Sequence, residues 1–163
     1  MSAETFTTAI FLVTAVIAAG VLVNALFPVV YTMVGTFSSS SHESDQRLRT
    51  DFKIITTFAS GDEAQIWLKN IGSSRIPEPD IARSDIFYGK VGEFDRLQYN
   101  GGTDGWVYDF TNQEYDINEN DYWDPGETIK ITVYTGAVNP GDIVYFQFAL
   151  PSGIWRSTEF SAR

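Results

Sequence analysis

The chain has 163 residues, with 21 Asp and Glu against 11 Lys and Arg, a net charge of −10, one His and no Cys. This acidity excludes nucleic acid as a partner, because phosphates need Lys and Arg to replace released counterions, and it has the wrong sign for an anionic lipid surface. Without Cys there are no disulfides, zinc thiolate sites or thiol nucleophiles, and the single His42 lies in SSSSHES, without the partners a catalytic or metal-bound imidazole requires.

The charge is uneven along the chain. Glu4 is the only charged residue before Glu43. The strongly apolar part, Ala9 to Val34, would reach about 39 Å as an α-helix, against a hydrocarbon core of about 30 Å. Its apolar residues lie on all sides, so it is not an amphipathic surface helix. Pro28 removes a backbone donor and predicts a kink. Ala15, Ala18, Ala19 and Gly20 are small, and Ala15 with Ala19 makes a small-xxx-small pair that lets helix backbones approach. Asn24, deep in the apolar run, calls for a hydrogen-bond partner on another helix. Together with Pro28 these are the candidate helix-packing residues. Two readings stay open: small residues are common in membrane spans, or these helices pack against copies of themselves or of a relative. A cleaved secretory signal is not expected, because the segment before the apolar run is acidic and the run is too long. Arg47, Arg49 and Lys53 lie just beyond the rod. The positive-inside rule, read alone, puts the C-terminal domain in the cytoplasm, but Glu43, Asp45 and Asp51 interleave with those bases and leave the orientation open.

Residues 1–37 therefore read as a hydrophobic membrane or assembly helix, 38–50 as a polar linker or helix continuation with a Ser-rich joint at Ser38–Ser41, and 51–163 as a separate β-domain. In DFKIITTFA, Phe52, Ile54 and Phe58 share a face. In TIKITVYT, Ile129, Ile131 and Val133 oppose Thr128, Lys130 and Thr132. In DIVYFQFAL, Val144, Phe146, Phe148 and Leu150 oppose Ile143, Tyr145, Gln147 and Ala149. AQIWLKNI, DIFYGKV, DRLQYN, GWVYDFT and IWRSTEF are further strand candidates. Short alternating runs between Gly, Pro, Asn and Asp predict an antiparallel, immunoglobulin-like sandwich. SGDEA, NGGTDG, NPGD and PSG are the predicted turns, and no helical period is read after about residue 50. The fold class is α+β, a long apolar helix followed by an antiparallel sandwich. The four Trp, at 67, 106, 123 and 155, read as core or half-buried strand residues, with an exposed carbohydrate platform as the alternative.

The strongest local pattern is DINENDYWDPGE. Counting from Asp116, side-chain oxygens fall at positions 1, 3, 5, 9 and 12, on Asp116, Asn118, Asn120, Asp124 and Glu127. This is the spacing of a calcium loop, because a hard cation takes six to eight oxygens from one turned segment. Asp121 replaces the Gly of the sharp turn, and strands replace the flanking helices. The alternative is an acidic, solvated hairpin. No cofactor is called for, and a structural Ca²⁺ is the one metal this pattern suggests. Nothing points to catalysis: there is no glycine-rich phosphate loop and no GxSxG, and choosing one carboxylate pair among so many is arbitrary.

The phrases IWLKNIGSSRI, WDPGETIKITVYTG and VNPGDIVYFQFALPSG, with the opening rod and the ESDQRLRTDFKI after it, resemble the archaellin family, and within it the FlaG-type accessory proteins of the archaeal flagellum. The resemblance covers most of the chain. It implies an archaellin-type sandwich outside the cytoplasmic membrane, a membrane anchor, and a stator-like role with the accessory protein FlaF or the S-layer protein as partner, together with self-assembly. Archaellins themselves carry a short basic leader, whereas here no Lys or Arg precedes Arg47. An uncleaved accessory protein is therefore the expectation. A filament subunit, with its helices bundled in a filament core, is the alternative.

Overall fold

The computed structural model describes residues 3–109 and 120–163. The chain divides into two units, Met1–Asp45 and Gln46–Arg163.

One helix, α1, runs over Ala3–Arg49. It includes Pro28 and continues through Ser38–Ser41. Glu4 in its first turn and Arg47 and Arg49 in its last complement the helix dipole. Thr7, Thr8, Thr14, Thr32 and Thr36 each donate their hydroxyl to the carbonyl four residues earlier. These polar groups are thus satisfied inside the helix itself.

The second unit is built on β1 (Phe52–Asn70), β2 (Ile76–Pro77), α2 (Glu78–Ala82), β3 (Asp85–Lys90), β4 (Glu93–Tyr99), β5 (Gly105–Asp109), β6 (Tyr122–Trp123), β7 (Thr128–Val138), β8 (Ile143–Ala149) and β9 (Trp155–Ser161). Seven strands form a ladder in the order β1-β7-β5-β4-β3-β8-β9, and β2 pairs with β6 separately. Among the described residues all the pairings are antiparallel except β4 with β5, which meet in parallel at Gln98–Gly105 and Tyr99–Trp106. That short parallel contact joins two layers, β1-β7-β5 and β4-β3-β8-β9. The ends of the ladder also meet, since the Arg163 amide donates to the Ala59 carbonyl at 2.9 Å. The result is a mostly antiparallel sandwich that curls toward a barrel.

The predicted alternation in β7 and β8 is present. Ile129, Ile131, Val133, Val144, Phe146 and Phe148 are fully buried, and Ile143 faces out. In β1 the alternation holds only in part. Phe52 is buried and Ile54 partly so, but Phe58 is exposed and Ala59 takes the inward place. The predicted turn at SGDEA is instead a bulge inside β1, where the register with β7 shifts between Gly61 and Glu63 and Gly61 takes a φ of 63°. Across this bulge the extra residue moves the inward places from Ala59 to Ala64, Ile66 and Leu68. The chain also forms one helical turn that the sequence reading did not expect, α2, which starts behind Pro77 and buries Ile81. Its five residues are too few to show a helical period.

Trp106 and Trp123 are buried in the core, which removes them as an exposed platform, whereas Trp155 is the exposed member of the four. Phe52 packs edge-on against Phe148, with ring centroids 5.3 Å apart.

Candidate assembly and partner surfaces

The first surface is the rod. Ala3–Phe37 is long and apolar enough to cross a membrane: its most apolar 18-residue stretch has a mean hydropathy of 2.5, and no residue of it is buried within the chain. At about 3.6 residues per turn, Ala15, Ala18 and Ala19 share one face, while Gly20, Asn24 and Pro28 lie at successive fourth positions on roughly the opposite face. The six candidate packing residues thus form two surfaces. Pro28 has no N–H, so the carbonyl of Asn24 loses its intrahelical donor. The amide side chain and this carbonyl fall on the same residue, which concentrates hydrogen-bonding capacity at one level of an otherwise apolar rod. Apart from its chain neighbours and the adjoining helix backbone, no described atom lies within 4 Å of where a Gly20 Cβ would sit.

The second is the root of the sandwich, where the phrases around Asn70 and Trp123 come together. Asn70 is fully buried. Its side-chain amide donates to the Trp123 carbonyl at 2.8 Å and the Ser74 carbonyl at 3.0 Å, and its Oδ1 accepts from the Gly72 amide at 3.0 Å. Its own amide donates to Glu127, and its carbonyl accepts from Gly126. The loop it shapes closes the end of α1, because Ser73 and Ser74 donate to the Arg49 carbonyl, and Ile71 and Gly72 to the Asp51 carbonyl. Arg156 pairs with Asp51 alongside and lies over the Phe52 ring. The sequence reading did not single out Asn70. The one signal was its position between an alternating strand and a Gly-Ser-Ser loop.

The acidic loop is only partly described. Asp116 and Asn118 lie outside the described residues. Of the others, Asn120 donates to Asp124 Oδ2 at 2.7 Å and accepts from the Tyr122 amide, and Glu127 Oε2 accepts from the Asp124 amide at 2.8 Å. Asp121, in the place of the calcium-loop glycine, adopts a φ of 61°. Glu127 is buried, and its carbonyl accepts from the Trp123 indole. Among the described residues no group of three or more His, Cys, Asp or Glu is placed to hold a metal ion.

The outer face of β3, β4 and β8 carries an aromatic pair. Phe94 and Tyr145 are both cross-strand partners of Gly89, and their rings lie 4.6 Å apart. A Cβ on Gly89 would stand 2.4 Å from the Glu93 carbonyl oxygen, so glycine is what allows this approach. At the adjoining turn, Lys90 bonds Asp142 at 2.8 Å and holds that carboxyl below the usual carboxylate range. Burial pushes the Tyr88 hydroxyl up to about 12. Tyr108 is likewise raised by burial, with its hydroxyl on Glu78.

A rod apolar on every side, carried by a chain with a curled, mostly antiparallel sandwich, is the plan of a structural subunit that is anchored in an envelope or built into a filament. The chain belongs to the archaeal-type flagellin family, whose model matches residues 2–160. It is thus a structural component of the archaellum. An uncharacterised protein of Archaeoglobus fulgidus is 28% identical over 99% of both chains. Among solved structures, the archaellum periplasmic stator protein FlaG of Sulfolobus acidocaldarius is similar with a TM-score of 0.56 and 21% identity, over 68% of this chain and 99% of that one. FlaG and FlaF from the same organism have been solved as a stator complex, which gives a TM-score of 0.55 at 20% identity, over 67% and 87%. The archaeal flagellum of Methanospirillum hungatei strain JF1 gives 0.66 at 12% identity, over 96% and 92%. At these identities the likeness establishes the shared fold.

Proposed function

We propose that the chain is a membrane-anchored, stator-like component of the archaellum. In this reading Ala3–Phe37 crosses the cytoplasmic membrane, residues 51–163 stand outside it, and the sandwich binds a FlaF-type accessory protein or the S-layer protein and associates with its own copies. The observation that carries it is the pairing of an apolar rod, whose Thr7, Thr14 and Thr32 hydroxyls are satisfied internally as lipid demands, with a sandwich whose fold resembles a periplasmic stator protein over 99% of the solved chain. Protease added outside spheroplasts tests the topology. The sandwich should be digested and the rod protected, whereas a protected sandwich would place it in the cytoplasm and refute the reading.

The filament reading also has an observation in its favour. The likeness to the Methanospirillum filament runs over 96% of the chain, rod included, and the two opposed packing faces suit a helix with neighbours on two sides. For the acidic loop, the reading is a structural Ca²⁺ held by Asp116, Asn118, Asn120, Asp124 and Glu127, supported by the turn at Asp121. A chelator should then lower the melting temperature of the full chain, and superimposable curves with and without millimolar Ca²⁺ would dismiss it.

A further inference from the structure

Strand β4 has an open side. On one side it pairs with β3 along Glu93–Leu97, while on the other its ladder with β5 begins only at Gln98. β7 runs on past the start of β5, whose Gly105 pairs with Tyr134, so that Thr135–Val138 face β4 across a cleft of about 660 Å³. The cleft is acidic. Glu93, Asp95 and Asp104 line it and have no ion pair among the described residues, while its two cations, Lys90 and Arg96, are already engaged by Asp142 and Asp85. An adjoining groove of about 430 Å³ shares Asp104 and adds Asp62. Tyr88 also lines the cleft. It is 2% exposed, and its hydroxyl has no hydrogen-bond partner among the described residues.

We propose that the cleft between β4 and β7 takes an extended, Lys- or Arg-bearing segment of a partner polypeptide as an added strand on β4. An exposed strand edge offers backbone donors and acceptors that an extended peptide satisfies, with alternate side chains giving the selectivity. Glu93 and Asp95 are two residues apart and so share one face of β4, where they meet every second residue of the incoming strand. Cations at those places neutralise both carboxylates, and the Tyr88 hydroxyl gains a backbone carbonyl. The same charges disfavour a second copy of β4 at this edge, since like charges facing one another are destabilising. The partner is therefore basic and extended. This deepens the reading of the sandwich as a partner-binding module and rests on it.

The test uses the full chain in detergent micelles with the blocked peptide Lys-Val-Lys-Val-Lys-Val, read by titration and by amide hydrogen exchange. The peptide should bind and slow exchange within residues 93–97. The paired substitutions Glu93→Lys and Asp95→Lys, at exposed positions and checked for an unchanged melting curve, should weaken binding at least tenfold. A peptide methylated on alternate backbone nitrogens should lose binding, and so should Glu-Val-Glu-Val-Glu-Val. Equal binding of the methylated peptide would reduce the effect to simple charge adhesion and end the proposal. Protection confined to other strands, or no binding by any peptide, would do the same. Each of these failures leaves the membrane topology of the chain, which the protease experiment reads, untouched.

Discussion

Gly72 sits where two backbones nearly touch. A Cβ there would lie 2.4 Å from the Arg49 carbonyl oxygen and 2.6 Å from the Asp51 amide nitrogen, and neither is a flexible side chain that can move aside. Gly72→Ala should therefore cost about 1–3 kcal/mol, the range for a forced backbone shift, and lower the thermal midpoint of unfolding. An unchanged midpoint would mean that the loop yields freely. The two buried indoles make a second contrast. Trp123 donates to the Glu127 carbonyl, while the Trp106 Nε1 has no partner among the described residues. Both Phe substitutions lose packing, but Trp123→Phe should cost about 1 kcal/mol more, the usual net worth of one hydrogen bond. Chemical denaturation of the two variants measures the difference. Asp142 gives a pH prediction. Its folded carboxyl titrates below the ordinary 3.8, first because of its bond from Lys90 and then because of the Asn139 backbone amide. The stabilisation it gives is complete above the ordinary carboxylate value and is lost as pH falls through the lower folded one. Lys90→Met should move the Asp142 titration, followed by NMR, back up toward 3.8. At this scale the sequence said least. Asn70 organises the root through a partner 53 positions away, Trp123, and no local pattern announces a contact of that separation.

Elements were legible where burial is one-sided. β8 reads correctly because every second residue points into the core, and α1 because no charge interrupts its apolar run. β1 does not, since its inward places pass from Phe52 and Ile54 to Ala59 and then, across the bulge at Gly61–Glu63, to Ala64, so no single alternation covers it, and Gly61 looks the same in a turn as in a bulge. α2 escaped because one turn has no period. The rod carries its own prediction. Gly20 has open space around it, so Gly20→Ala should raise the helicity of the isolated rod by about 1 kcal/mol of propensity. If Gly20, Asn24 and Pro28 form a packing face, however, the same change should weaken rod–rod association, and Asn24→Leu should weaken it further by removing the polar contact. Energy transfer between labelled rods in lipid vesicles separates the effects. Unaltered association in both variants would leave that face to lipid.

At the level of the whole molecule, the division of charge is decisive. A rod with a single charge, Glu4, and a strongly acidic remainder call for two different surroundings, and the chain supplies an apolar helix for one and a curled sandwich for the other. The fold class was legible in composition and alternation, because both report burial directly. Which surface meets which partner was not, because the open side of β4 and the root around Asn70 exist only once distant strands have paired. An anchored component and a filament subunit are told apart most directly by where the full-length chain is found after cells are sheared and fractionated. An anchored chain stays with the cytoplasmic membrane while the filaments come away without it, and this is the expected result. Recovery of the chain as a major component of the purified filaments would contradict it.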